Sequence, residues 1–441
     1  MKKTAQFALV CLCLLFVFST SCKPGENGPA EPITGNFSPE QLQADLAQMR
    51  NSLERNHPDR LRYESEEALA GLFDAAFASL RNDMSEAGFY CVAAPLVARY
   101  HCGHTRISPS NGFLPGRVMP LGIYLADGKA HVDADYGSDP SLPLGSEVLA
   151  INNEPIAAVI ERLQAGIPSD ALNKSAKVYR LNREFYRYYH CFRGEMPAFD
   201  LLLKDPANGS ESALRVAARP FSQVSREVSA RFATDGRLAF TTSGRRAVLR
   251  VPSFAASQNP DYRAFFENSF RQMNELGIAH LVVDIRGNGG GDPDVSVALI
   301  SHLARRPFVY FKKGIGYGNL FVETAPHAVH FDGAVHVLID GGCFSTSGHF
   351  CSVVRHHELA VFIGETGGGT FRCHDNSTEI VLGHTGLRLR VARTTYEAAV
   401  PDIDVSAGFP PDFRVVPTID DILSGADPQM DFAIRLFEEG N

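Results

Sequence analysis

The stretch AVHVLIDGGCFSTSGHFCSVVRHH, residues 334–357, changes character twice. AVHVLID is a short apolar run of the length and type of a buried strand. FCSVVRHH, 350–357, reads as a helix. Between them stands GGCFSTS, two glycines followed by small and hydroxylated residues. A strand that hands over to a helix through such a turn needs backbone freedom there, or has to expose a hydroxyl. Ser345 occupies the turn, where the coming helix N-terminus favours negative charge.

Two similar loops stand nearby. RGNGGGD, 286–292, follows the apolar LVVDI, and GETGGGT, 364–370, follows AVFI. Helical patterns at 262–276, 296–303 and 350–357 alternate with these strands. That rhythm predicts an α/β fold with a mixed or parallel sheet covered by crossover helices. In such sheets the loops at the carboxyl ends of the strands hold the site. Phosphate binding is poorly served, because neither GxxxxGK[ST] nor a helix-opening GxGxxG occurs. Purely structural turns are the plainest alternative. The remaining reading is a serine nucleophile beside an oxyanion hole. Its base would be a histidine in a polar, Gly-broken context: His104 in CGHTR, or else His374.

The bulk composition is that of a globular protein, with 441 residues, 44% hydrophobic, 21% charged and a formal net charge of −8. The length suggests two or three domains. No basic footprint for nucleic acid is present. The cysteine and histidine spacings suit no structural metal, and no cofactor is called for. Met1-Lys2-Lys3, an apolar core from Phe7 to Phe18 and small residues before Cys22 resemble a bacterial lipoprotein signal. That predicts a signal over 1–22, acylation of Cys22, a tether over 23–37, and attachment to a membrane of the cell envelope through the lipid. Six cysteines then remain for the mature chain. Their pairing is not readable, although a Cys91–Cys102 bridge would steady the His104 loop.

Ser38-Pro39-Glu40-Gln41 reads as a helix start, with Leu42, Leu46, Met49 and Leu53 on one face. Further helical patterns at 65–80 and 85–100 complete an N-terminal helical domain over 38–106. Short strands around a DG turn open a second region, 107–215, in which YRLNREFYRYYHCF is ambiguous between helix and strand. The sheet-and-helix core fills 216–441.

Taken together, HCGHTR, LVVDIRGNGGG, LIDGGCFSTSG, FIGETGGGT and AGFPPDFRV resemble the serine peptidase family of the C-terminal processing and tricorn core proteases. The resemblance implies a ClpP/crotonase-like mixed-sheet protease core. It also implies a PDZ-like domain, since PLGSEVLAINNEPIAAVIERL resembles the family's "GD.I..ING" stretch and the helix after it. Ser345 would be the nucleophile, with Gly290 and Thr346 as oxyanion donors. Thr370 stands where the C-terminal processing branch has its catalytic Lys, which implies the tricorn-like, His-based branch with His104 as base. The orienting acid precedes the GFPPD turn in that branch. Val405 stands at the strict match, and Asp404 beside it is the nearest carboxylate, with Asp402 next. The implied partner is a peptide or an exported protein, cleaved through an acyl-enzyme. A binding protein on the same fold, with altered chemistry, is the alternative.

Overall fold

The computed structural model describes residues 36–113, 116–401 and 406–439. The N-terminal helix Pro39–Asn56 starts as its sequence asks. Ser38 and Gln41 form a reciprocal capping box, and Leu42, Leu46, Met49 and Leu53 are fully buried. Helices Glu66–Ser79 and Glu86–Ala98 follow, each capped by a serine hydroxyl. The chain then turns sharply into the His104 loop.

A second layer is a sheet ordered Glu211–Ala217, Ala198–Lys204, Glu147–Ile151, Lys129–Asp135, Leu121–Ala126, all neighbours antiparallel. The Asp127-Gly128 turn joins its last two strands as expected. Helices Ile156–Gly166 and Ser175–Arg193 pack with it. The ambiguous aromatic stretch is therefore helical. Its buried Leu181, Phe185, Tyr189 and Phe192 recur at spacings of four, four and three, a helical stripe that the β-type aromatic composition masked. The N-terminal helices and this sheet share one apolar cluster, which also takes in Leu387, Leu389 and Val391 from near the chain's end.

The C-terminal half is built on a six-stranded sheet. Its order is Ala239–Ser243, Arg246–Arg250, His280–Asp284, Ala334–Ile339, Val361–Gly364, Phe413–Arg414, and only the first pairing is antiparallel. Every residue of His280–Asp284 is buried, as a strand covered on both faces requires. Leu281 and Val283 face a cluster that includes residues of helices Tyr262–Glu275, Pro293–Leu303 and Thr346–His356. Val282 faces the other way, onto Ala433 of the closing helix Pro428–Glu439. Parallel register brings the three Gly-rich loops out at one edge, with Asp284 opposite Leu338 and Ile339 opposite Gly364.

Two small three-stranded sheets finish the fold. One is ordered Phe311–Lys313, Thr394–Ala398, Arg372–Asp375, and the other pairs Arg106–Ser108 with Arg388–Val391. This second pairing ties the segment after His104 to a strand of the C-terminal half of the chain. The six described cysteines from Cys91 onward are all free. The Cys91–Cys102 bridge is thus not formed: Cys91 Sγ donates to Phe192 O at 3.1 Å, while Cys102 Sγ is directed at His374 O.

Candidate active site

The three loops are sewn to one another by backbone and side-chain bonds. Asp340 Oδ1 accepts from Gly287 N at 2.8 Å and from Gly342 N at 2.9 Å, joining the first two loops. Asn288 O accepts Phe344 N at 3.0 Å and Ser347 Oγ at 2.8 Å. Thr346 Oγ1 donates to Gly291 O at 2.6 Å. Gly369 N donates to Cys343 O at 2.7 Å and brings in the third loop. These bonds leave little freedom to the backbone around Ser345.

Ser345 itself has φ +57° and ψ −121°, a conformation that side-chain-bearing residues rarely adopt. It stands at the N-cap of Thr346–His356 without using its hydroxyl as a cap. Strain of this kind persists only where surrounding bonds over-determine it, and it gathers at functional sites. Gly290, at φ +101°, lies directly against it: a Cβ there would stand 2.8 Å from Ser345 Cβ and 3.0 Å from Thr346 N. Thr346 N–H, first in its helix, has no acceptor within that helix. Gly290 N–H donates to Asn288 Oδ1 at 2.9 Å in this resting arrangement.

His104 reaches the Ser345 turn from a distant part of the chain. Its buried ring packs 4.6 Å from the Phe344 ring, one residue before Ser345, and no hydrogen bond joins it to Ser345. Gly103 is needed for this approach, because a Cβ would come within 2.5 Å of Phe344. Gly103 N–H donates to the buried Asp170 Oδ1 at 2.8 Å. Burial drives the His104 pKa down to about 4; Asp375 works against this, whereas Arg390, Arg106 and Arg180 reinforce it. The imidazole is therefore neutral above mildly acid pH and able to accept a proton. His104 Nε2 lies 3.7 Å from Asp375 Oδ2, and its Nδ1 is buried without a partner.

The strand Arg372–Asp375 runs beside both groups. Its alternation puts Cys373 and Asp375 on one face and His374 on the other. The Cys373 thiol is pushed well up by burial, and the Ser345 hydroxyl is close enough to oppose that rise. His374, the second candidate base, turns away: Nδ1 meets Thr395 Oγ1 at 3.1 Å and the ring packs on His57 at 5.2 Å. Thr370 bonds only its own neighbourhood, donating through Oγ1 to Arg372 O at 2.6 Å. Lys312 lies elsewhere, with Nζ 2.6 Å from Glu397 Oε1. Glu365, in the third Gly-rich loop, has its carboxyl pushed up to about 7 by burial and by Asp340. Asp404, Asp402 and Cys22 lie outside the described residues.

Asp375 and Asp170 were not singled out by the sequence. A signal for Asp375 existed, since it follows His374 directly and would face the opposite side of any strand there.

A positive-φ serine at a strand-to-helix turn, flanked by Gly-rich backbone and a buried neutral imidazole, is an arrangement suited to nucleophilic catalysis. Residues 245–415 match the model of peptidase family S41. The structure of mature CPAF is similar in fold, with a TM-score of 0.67 and 14% identity over 90% of this chain and 96% of that one. Mature CPAF complexed with lactacystin gives a TM-score of 0.66 and 13% identity over 90% and 97%. The photosystem II D1 C-terminal processing protease aligns over 87% of this chain and 96% of its own, at 16% identity and a TM-score of 0.43. No curated protein sequence matches the chain.

Proposed function

We propose that this chain hydrolyses peptide bonds of exported proteins or peptides through an acyl-enzyme on Ser345, with His104 as general base. The observation that carries this reading is the packing of His104 on the residue preceding a strained, loop-clamped Ser345. Ser345 Oγ attacks the peptide carbonyl carbon while its proton passes to His104. The resulting oxyanion faces Thr346 N–H and the Gly290 turn, where Gly290 N–H exchanges Asn288 Oδ1 for the substrate oxygen. His104 hands its proton to the leaving amine as the C–N bond breaks. Water then attacks the ester, its proton going to His104 and from there back to Ser345. Apo sites are commonly loose, and closure of the His104–Ser345 hydrogen bond accompanies substrate binding in this scheme. The enzyme works at the bacterial cell envelope, held to a membrane by lipid on Cys22.

Trapping with a serine-reactive phosphonate followed by peptide mapping tests the reading, with Ser345 as the expected adduct. Ser345→Ala and His104→Ala should each abolish most turnover, and the double variant should be little worse than either single one. A folded His104→Ala enzyme with wild-type kcat/KM would refute the base assignment. The second reading is a peptide-binding protein without turnover. It draws on the open His104–Ser345 geometry and predicts no phosphonate adduct at any pH.

A further inference from the structure

We propose that Asp375, fixed by Arg390, is the carboxylate that positions His104, in place of an acid before the GFPPD turn. The proposal rests on the His104–Ser345 reading above. Three independent features of the strand support it. Asp375 Oδ2 is 3.7 Å from His104 Nε2. Asp375 Oδ1 accepts from Arg390 Nη2 and from Ser377 Oγ, each at 3.0 Å, so the carboxylate is held by one oxygen and offers the other to the imidazole. The strand's alternation carries Cys373 to Ser345 and Asp375 to His104 on a single face, and the antiparallel pairing of Asp375 with Thr394 locks that register.

The base and its acid are also held by the same small sheet. Arg106, two residues after His104, pairs directly with Arg390, whose guanidinium grips Asp375. Any shift of the Arg388–Val391 strand therefore moves both partners together. Burial pushes the Asp375 carboxyl up, but His104, Arg390 and Ser377 outweigh it and keep the group below its ordinary value. It remains ionised wherever His104 is neutral. A fixed anion on one ring nitrogen selects the tautomer that leaves the other nitrogen free to take a proton, and it stabilises the imidazolium that forms.

The experiment measures the pulse-labelling rate of Ser345 by phosphonate, and kcat/KM on a peptide pool, from pH 3.5 to 8. The full chain is compared with Asp375→Asn, Asp375→Glu, Arg390→Met and Asp404→Asn. The charged and titratable groups whose fields reach His104 are Asp375, Arg390, Arg106, Arg180, His349 and, from the far face of its strand, His374. Removing the anion lowers the His104 pKa, so Asp375→Asn should move the ascending limb to lower pH while reducing the plateau about a thousandfold. Removing a cation raises it, so Arg390→Met should move the limb to higher pH. Asp375→Glu should recover part of the plateau, and Asp404→Asn should stay within about threefold of wild type. A folded Asp375→Asn enzyme with an unmoved limb and plateau overturns the proposal. So does a loss that appears in Asp404→Asn instead. Should Asp375→Asn fail to fold, Asp375→Glu decides: a folded Asp375→Glu enzyme with limb and plateau both unmoved overturns the proposal. If Ser345→Ala still takes up the phosphonate, the underlying reading has failed rather than the positioning role.

Discussion

Replacing Gly290 by alanine tests the nucleophile turn most directly. The new Cβ would lie 2.8 Å from Phe344 O, 2.8 Å from Ser345 Cβ and 3.0 Å from Thr346 N, where ordinary contacts begin at 3.4 Å. The two loops must therefore separate by about 0.6 Å, and none of the atoms met is the far end of a flexible side chain. A misplacement near 1 Å in a reacting geometry costs about a hundredfold in rate, and loss of one oxyanion donor costs on the order of 10²–10³. A fall of 10²–10³ in kcat/KM is expected. The φ of +101° adds backbone strain of about 1–3 kcal/mol for any residue with a Cβ. Gly128→Ala separates strain from clash, because Gly128 has φ +78° but a Cβ there would meet nothing within 4 Å. Both variants should lower the urea midpoint, yet only Gly290→Ala should slow phosphonate labelling of Ser345. A folded Gly290→Ala enzyme labelled within threefold of wild type would refute the assignment of this turn.

Other outcomes follow from the same geometry. Thr370→Ala removes only local bonds to the Arg372 backbone, worth about 1 kcal/mol, so kcat/KM should stay within tenfold of wild type; a thousandfold loss in a folded variant would show the chemistry to be misplaced. Acid should unfold the protein readily. Burial lowers His57, His104 and His302 to about 4, and His280, His349 and His374 to about 3. Their unfolded counterparts take protons near pH 6.5, so this stability is complete above 6.5 and falls as pH drops toward 4, by about 1.4 kcal/mol per pH unit for each unopposed imidazole. Asp170 and Glu365, raised by burial to about 7, act in the opposite sense and lose their contribution as pH rises through 7. Urea midpoints at pH 7, 6 and 5 should therefore decline in that order, and a flat series would contradict the buried neutral imidazoles. On the proposed lipid anchoring, Cys22→Ser should give a soluble or unprocessed protein; mass spectrometry of the mature N-terminal peptide checks this, and an unmodified Cys22 in the wild-type peptide would refute the anchor.

Sequence alone reached the parts of this molecule that depend on local chemistry. Ser38 and Ser65 mark helix starts because capping is decided within four residues. The buried strands before each Gly-rich loop are visible because a strand covered on both faces is apolar throughout. Ser345 and His104 stand out through their neighbours, since both sit where regular structure must stop. What escaped notice depends on pairing between distant segments. Asp375 faces His104 only once Arg372–Asp375 has found Thr394–Ala398, and nothing within RCHD announces which face will line the site. Gly290 reads as a free donor in the sequence, yet the side chain of Asn288, two residues earlier, occupies its N–H. The bridge considered between Cys91 and Cys102 gave way to separate thiols because the helix carrying Cys91 turns it toward Phe192.

The pairing of Arg106–Ser108 with Arg388–Val391 also bears on when the molecule can first act. The segment bearing His104 emerges during synthesis well before Ser345, and its partner strand only after Ser345. No amino-terminal fragment ending before that strand can hold the imidazole in place, even with the Ser345 turn already made. On the proposed mechanism, hydrolytic competence is thus withheld until the Arg388–Val391 strand has been made and paired. A peptidase built this way is spared a live protease on its own unfinished chain.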